Sequence, residues 1–524
     1  MNQFPFGYER IHETSWAYLS SLLMLALFFK FNRFWSIRNA DLFLLILIAP
    51  GILLVSYRSQ QTTSASRPVS VVSDKVTEAT TASQDEVTAE NSAPDTAGQP
   101  PSVPAFDNNS AKPADKALID VLEPVQFSSL TPTDLVNRAG YIWLFSCGGL
   151  LLLRMLLDPL LVRRPLLEPN LSIGGLVFLG CSLLTFIFAD IINSQPQPGS
   201  LDGAIGAMKM VQREAAGDEA RQELLYHGPG YALIHVVPSI PTFTAPNRQS
   251  GQEGLTTGAR QPLQLEITAK ILVIVSQIAM VFGLIAIGYY HFSNFRTGVG
   301  MAVIWLMMPY TIMYSGNAYH VLPAALMVWA VALYRHPWVS GIMLGLATGV
   351  AYYPLFLLPL WLSFYWETRV SRFVYGFAIA IGVCVCGLIF TSQDVWHFFT
   401  QLQAMFGFWL PRINRDLLQG IWVLGWDAWF RLPLLVAFVI LSISFVFWPA
   451  TKNLGTLIAY TSAIMIAVQF WHGYQGGTFV AWYLPLMLAT IFRPNLSDRV
   501  AASQIPSHQR RLRIDPTQRV SPAA

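Results

Sequence analysis

The sequence predicts an all-α, polytopic integral membrane protein of about thirteen transmembrane helices, with its N-terminus outside and its C-terminus in the cytoplasm. Three observations predict it. The chain is 53% hydrophobic and only 12% charged, against about 25% charged residues in a water-soluble domain. Its apolar residues fall into runs of roughly 20, the length that crosses a hydrocarbon core of about 30 Å as a helix. Short loops carrying Lys or Arg alternate with loops that carry none, the pattern that places basic loops on the cytoplasmic side.

The densest stretch, Arg296 to Arg372, packs four apolar runs with almost no loop between them. Ser315-Gly316-Asn317 and Tyr352-Tyr353-Pro354 break it on one side, and Arg335-His336-Pro337 and Arg369 to Arg372 on the other. A soluble bundle would need polar outer faces, and these runs have none.

The N-terminal region 1–57 reads as a two-span membrane anchor, 15–29 and 41–57, with Lys30, Arg33 and Arg38 in the cytoplasmic turn. A cleaved secretory signal would put its basic residues first. Residues 58–117 turn to Ser, Thr, Ala, Pro and acidic residues without periodicity, so a disordered extracytoplasmic loop is expected. Region 118–172 holds a third span, 139–157, with Arg154 near its inner end, and a cytoplasmic loop with Arg163 and Arg164. The main transmembrane domain is placed at 173–492. It begins with the span 173–192 and an extracytoplasmic segment, 193–266, in which a surface helix is plausible and HGPGYALIHVVPSIP reads as dipping to the membrane. Spans at 267–290, four within the dense stretch, and 373–390 follow. The Trp- and Phe-rich loop 391–427 is expected to lie on the membrane, since Trp favours the headgroup layer. Spans at 432–447, 454–470 and 479–492 lead to a basic cytoplasmic tail, 493–524.

Several chemistries are excluded. No Lys/Arg stripe supports nucleic-acid binding. Cys147, Cys181, Cys384 and Cys386 all lie in apolar runs and read as small packing residues, so neither a disulfide nor a metal site is expected. No Rossmann fingerprint or P-loop is present, and no cofactor is expected.

The stretch YSGNAYHVLPAALMVWAVALYRHPWVSGIMLGLATGVAYYPLFLLPLWL resembles the middle of GT-C-type membrane glycosyltransferases, most closely the bacterial polyprenyl-phosphomannose-dependent mannosyltransferases. The likeness lies in a polar turn, a helix, a basic turn, a Gly-rich helix (Gly341, Gly345, Gly349) and a Pro-containing turn before a Leu/Pro-rich helix. HGPGYALIHVVPSIP is similar to the family's Tyr-Pro-Pro-apolar stretch and GGTFVAWYLPLMLA to its last span, so the resemblance covers roughly 173–492.

The resemblance implies transfer of a sugar, with mannose one candidate, from a polyprenyl-phosphate donor in the bilayer to an extracytoplasmic cell-envelope acceptor, glycan or lipid. It also implies an acidic general base in the first extracytoplasmic loop. Asp190, at the outer end of span 173–192, takes that place if the first three spans are an addition; Asp202 is the alternative. The chain departs from the family in lacking an Asp-x-Asp or Glu-x-Asp pair and a clear basic residue near Tyr352-Tyr353-Pro354.

Arg412 and Arg415, two positive charges on the outside against the charge bias, suit the donor phosphate or lipid headgroups. His227, Tyr231, Asn317, His320, His472 and Gln475 face the same side and are candidates for one cavity lining, although such residues are ordinary at interfaces. The competing reading is a non-catalytic GT-C-like scaffold or a transporter-like envelope protein. No span carries a charge at its centre and no internal repeat is evident, which favours the enzyme. The expected location is the cell (inner) membrane.

Overall fold

A computed structural model describes residues 12–65, 131–161, 167–212 (except 195, 197 and 198), 227–244, 257–392, 394–407, 418–450 and 452–494. Every regular element among them is helical. The helices are α1 (Glu13–Phe28), α2 (Ile37–Ala65), α3 (Pro132–Leu156), α4 (Ile173–Asn193), α5 (Asp202–Gln212) and α6 (Pro229–Thr244). They continue with α7 (Thr257–Ala286), α8 (Phe295–Met307), α9 (Pro309–Met313), α10 (Ala318–Ala332), α11 (Pro337–Val350) and α12 (Leu358–Tyr365). The last are α13 (Val370–Thr391), α14 (Val395–Phe406), α15 (Arg431–Phe447), α16 (Leu454–Trp471) and α17 (Leu484–Phe492).

Among the described residues, seven stretches are long and apolar enough to cross a membrane: Ile37–Ser56, Pro132–Leu156, Ile173–Asn193, Gln264–His291, Val370–Thr391, Ala428–Phe447 and Leu454–Trp471. The protein is therefore a multi-pass membrane protein. The other expected spans fall on shorter helices, among them Phe295–Met307, Ala318–Ala332, Pro337–Val350 and Tyr353–Tyr365. Breaks at membrane depth are tolerated where protein, not lipid, surrounds the backbone. That condition holds here, since every residue from Thr297 to Met307 is buried.

At the centre stands α16, buried from Leu454 through Gln469, with the fully buried α17 beside it. Peripheral helices present apolar side chains outward, as a lipid-facing surface requires: Phe178 on α4, Val383 and Phe390 on α13, Val436 and Ile440 on α15. The Gly-rich helix has a packing reason. A Cβ on Gly341 would meet the Phe373 carbonyl, and one on Gly345 would lie 2.7 Å from Ala380 Cβ and 2.9 Å from Phe377 O. Gly376 of α13 returns the approach against Trp338 O. Small residues thus let α11 and α13 touch backbone to backbone.

One end of the bundle is tied by buried charge. Arg154 donates to both carboxylate oxygens of Asp41, at 2.7 and 2.9 Å, and to Asp158 at 3.0 Å; Arg493 also bonds Asp158. Asp158 is wholly buried, and such a carboxylate is tolerated only when paired and hydrogen-bonded. The first helices are therefore built into the bundle: residues up to Tyr57 and from Pro132 onward form one compact unit. Arg58–Thr131 forms a second unit, of which only 58–65 and 131 are described. The low-complexity loop and the basic tail beyond 494 lie outside the described residues.

Candidate active site

The two elements after α4 build one wall of the site. Gly228, in the left-handed region at φ +72°, turns the chain so that Pro229 can open α6, where a missing N–H costs nothing. Helix α6 then lies on α5. A Cβ on Gly203 would collide with the rings of His235 and Tyr231, and a Cβ on Gly230 with the Gly349 backbone. These close approaches hold His227 over Tyr231 and Tyr319, with ring centroids 5.3 and 4.5 Å away. Asp202, the first residue of α5, brings its carboxylate to 3.5 Å from His227 Nδ1, with 31% of its side chain accessible. Burial and the neighbouring His235 lower the His227 pKa to about 4. The ring is thus neutral at pH 7, and the contact is dipolar at a distance beyond a good hydrogen bond.

From Tyr319 the wall continues through Phe479 and Trp482 at 5.9 and 5.7 Å to His472, 4.7 Å from Phe479 and 5.7 Å from Trp482. Tyr353 packs on His472 at 4.7 Å. The turn after α16 is held from inside: Gln469 Oε1 accepts from the N–H groups of Gly477 and Phe479 at 3.1 and 3.3 Å. Beyond it lies Arg431, 6% exposed, whose Nε donates to Trp471 O at 3.1 Å. Trp422 donates to the His472 carbonyl at 2.8 Å, and Gln419 N–H to that of Gly473 at 2.9 Å. The Trp-rich loop is thereby fastened to the turn. An acid thus stands at one end of the wall and a cation at the other, with buried aromatic rings between them.

Residues 262–472 match the model of glycosyltransferase family 87. It is a GT-C-type polytopic membrane family, as the resemblance implied. With the apolar helices, the match indicates a membrane glycosyltransferase. No curated protein and no solved structure matches the chain. The stretch similar to family 87 contains Tyr319, Tyr353, Arg431 and His472, whereas Asp202 and His227 precede it.

The candidates from the sequence divide. Asp202, His227, Tyr231 and His472 come together on one wall. His320 stands behind it, stacked on Phe479 at 4.6 Å and bonded through Nδ1 to Tyr310 Oη at 2.6 Å. Asn317 caps α10 by accepting from Tyr319 N–H at 3.0 Å, and the exposed Gln475 bonds Gln419 at 3.3 Å. Asp190 is 1% exposed and accepts from Ser315 Oγ at 3.1 Å. Arg412 and Arg415 lie outside the described residues. Tyr319, Tyr353, Arg431, Phe479 and Trp482 were not foreseen. Of these only Arg431 carried a signal, a basic residue at the outer end of an apolar run.

Proposed function

We propose that the protein transfers a sugar from a polyprenyl-phosphate donor to a cell-envelope acceptor at the extracytoplasmic face of the cell (inner) membrane, with Asp202 as general base. The observation that carries this reading is the accessible Asp202 carboxylate at the head of the aromatic wall, beside neutral His227. A base must reach the proton that it removes. Asp190 lies within α4, buried and engaged with Ser315, whereas Asp202 opens the loop helix that follows the span. The family resemblance asks for a carboxylate in that loop. Aromatic faces suit the apolar face of a sugar ring, and the lipid-exposed flank of α15 lets a polyprenyl chain stay in the bilayer. The donor is already activated, so the protein's part is to position it and take one proton from the acceptor hydroxyl.

Transfer assayed with a polyprenyl-phosphate sugar in membranes tests the reading. Asp202→Asn should lose about 10²–10⁴-fold in rate, the usual contribution of a general base. Asp190→Asn, which can still accept from Ser315, should lose less than about tenfold. The reverse ranking returns the role to Asp190. No transfer by the wild type with any donor favours the scaffold.

A further inference from the structure

His472 ends α16 and is 1% exposed. Its Nδ1 accepts from Tyr474 N–H at 3.1 Å, which puts the ring proton on Nε2. That Nε2 is buried and has no hydrogen-bond partner. A buried donor left unpaired is costly and asks for an explanation. Burial, followed by the charge of Arg431, lowers the His472 pKa to about 3, so the ring stays a neutral donor at every physiological pH. Arg431 stands on the other side of the same turn. Its Nη2 occupies the space beside Gly473, where a Cβ would lie 2.8 Å away, and its Cζ is 5.9 Å from the Trp422 ring centroid. Only glycine at 473, the residue after the histidine, leaves that space to the guanidinium. An N–H donor within the field of a cation, walled by Tyr353, Phe479 and Trp482, matches an anion that can accept hydrogen bonds.

We propose that His472 Nε2–H and Arg431 bind the phosphate of the lipid-linked donor, at the opposite end of the aromatic wall from Asp202; this rests on the donor class proposed above. Arg431 is the first residue of α15, whose outward face carries Val436, Ile440 and Ile443 exposed to lipid. A polyprenyl tail can therefore leave the phosphate along that helix while the sugar lies over the aromatic rings toward Asp202. The phosphate stays bound as the anomeric C–O bond breaks, and the negative charge on its bridging oxygen grows beside the cation. The acceptor oxygen forms the new bond, and its proton goes to Asp202.

The test measures binding of a polyprenyl monophosphate to the full-length protein in nanodiscs, with the matching polyprenol, inorganic phosphate and phosphatidylglycerol as competitors. The wild type should bind the polyprenyl phosphate in preference to all three. His472→Phe keeps an aromatic ring and removes the N–H, and Arg431→Gln removes the charge; each should weaken binding about tenfold or more. His472→Gln, which restores an N–H, should recover most of the affinity, and Asp202→Asn should bind like the wild type. In transfer assays His472→Phe should raise KM for the donor more than it lowers kcat. Unchanged affinity in both His472→Phe and Arg431→Gln overturns this site alone. Equal competition by phosphatidylglycerol overturns it in favour of a headgroup contact. A wild type that binds no polyprenyl phosphate overturns both the site and the donor class.

Discussion

Three histidines on one wall, His227, His235 and His472, are held neutral by their surroundings, and His227 makes that state measurable. It is not fully enclosed: 19% of its side chain is accessible, so the shift acts with less force than complete burial would give. The sign follows from proton binding. The unfolded ring titrates near 6.5 and the folded one near 4, so between these values the unfolded chain binds more protons and stability falls as pH drops. Above about pH 6.5 the contribution is fully present. Thermal unfolding in detergent from pH 4 to 7 should therefore show a steeper loss of Tm on acidification for the wild type than for His227→Gln. Parallel curves would mean that the ring protonates without cost in the folded protein. Asp202 faces the same ring, so His227→Gln should also shift the acidic limb of the pH–rate profile, whereas a purely packing role would leave that limb in place.

Among the elements, the contact of α11 with α13 is the one most exposed to a single methyl group. A Cβ on Gly345 meets Ala380 Cβ and the Phe377 carbonyl, and backbone cannot step aside. Gly345→Ala should cost about 1–3 kcal/mol, the usual penalty of overpacking, read as a lower Tm in detergent. Gly382→Ala on α13 meets nothing within 4 Å and should be neutral or slightly stabilising, because alanine favours the helix. Equal effects of the two would show that the helices are not in close contact. The long apolar helices were visible in the sequence, because hydropathy and length are local properties; the Gly-rich run was visible only as a feature of the family resemblance, and its packing role needs α13 beside it. The segment from His227 was less legible: Pro238 and Pro241 argue locally against a helix, yet α6 runs from Pro229 to Thr244. Packing against α5 overrides them. The site was legible only as polar and aromatic residues on one side. Asp202 meets His227, and Arg431 meets His472, through packing between separate elements, and no local pattern records such meetings.

Across the whole molecule the two ends differ in chemistry, and the contacts sort the helix termini accordingly. Asn170 N–H donates to Leu27 O at 2.7 Å, placing the start of α4 beside the end of α1. Arg296 donates to Pro169 O and Leu171 O at 2.7 and 2.9 Å, adding the start of α8. The network of Asp41, Arg154, Asp158 and Arg493 adds the start of α2 and the ends of α3 and α17. The basic loops expected in the cytoplasm adjoin these termini. On the other end, Lys270 of α7 donates to Ile192 O and Ser194 O after α4, at 2.8 and 3.1 Å, and Ser315 reaches Asp190. These contacts gather the ends of α1, α3 and α17 and the starts of α2, α4 and α8 at one end, and the end of α4 with Lys270 and Ser315 at the other. We propose, since basic residues are retained on the cytoplasmic side, that the first of these ends faces inward and the wall from Asp202 to Arg431 outward. A reporter fused after Arg369 should read cytoplasmic, and one inserted near Pro100 extracytoplasmic. Cysteine labelling gives a second readout from the site itself. Gln475→Cys, at an exposed position beside the His472 turn, should react with a membrane-impermeant maleimide in intact cells, whereas Glu367→Cys should react only after permeabilisation. Labelling of both positions from the same side, or both reporters reading alike, would overturn this orientation and remove an extracytoplasmic site with it.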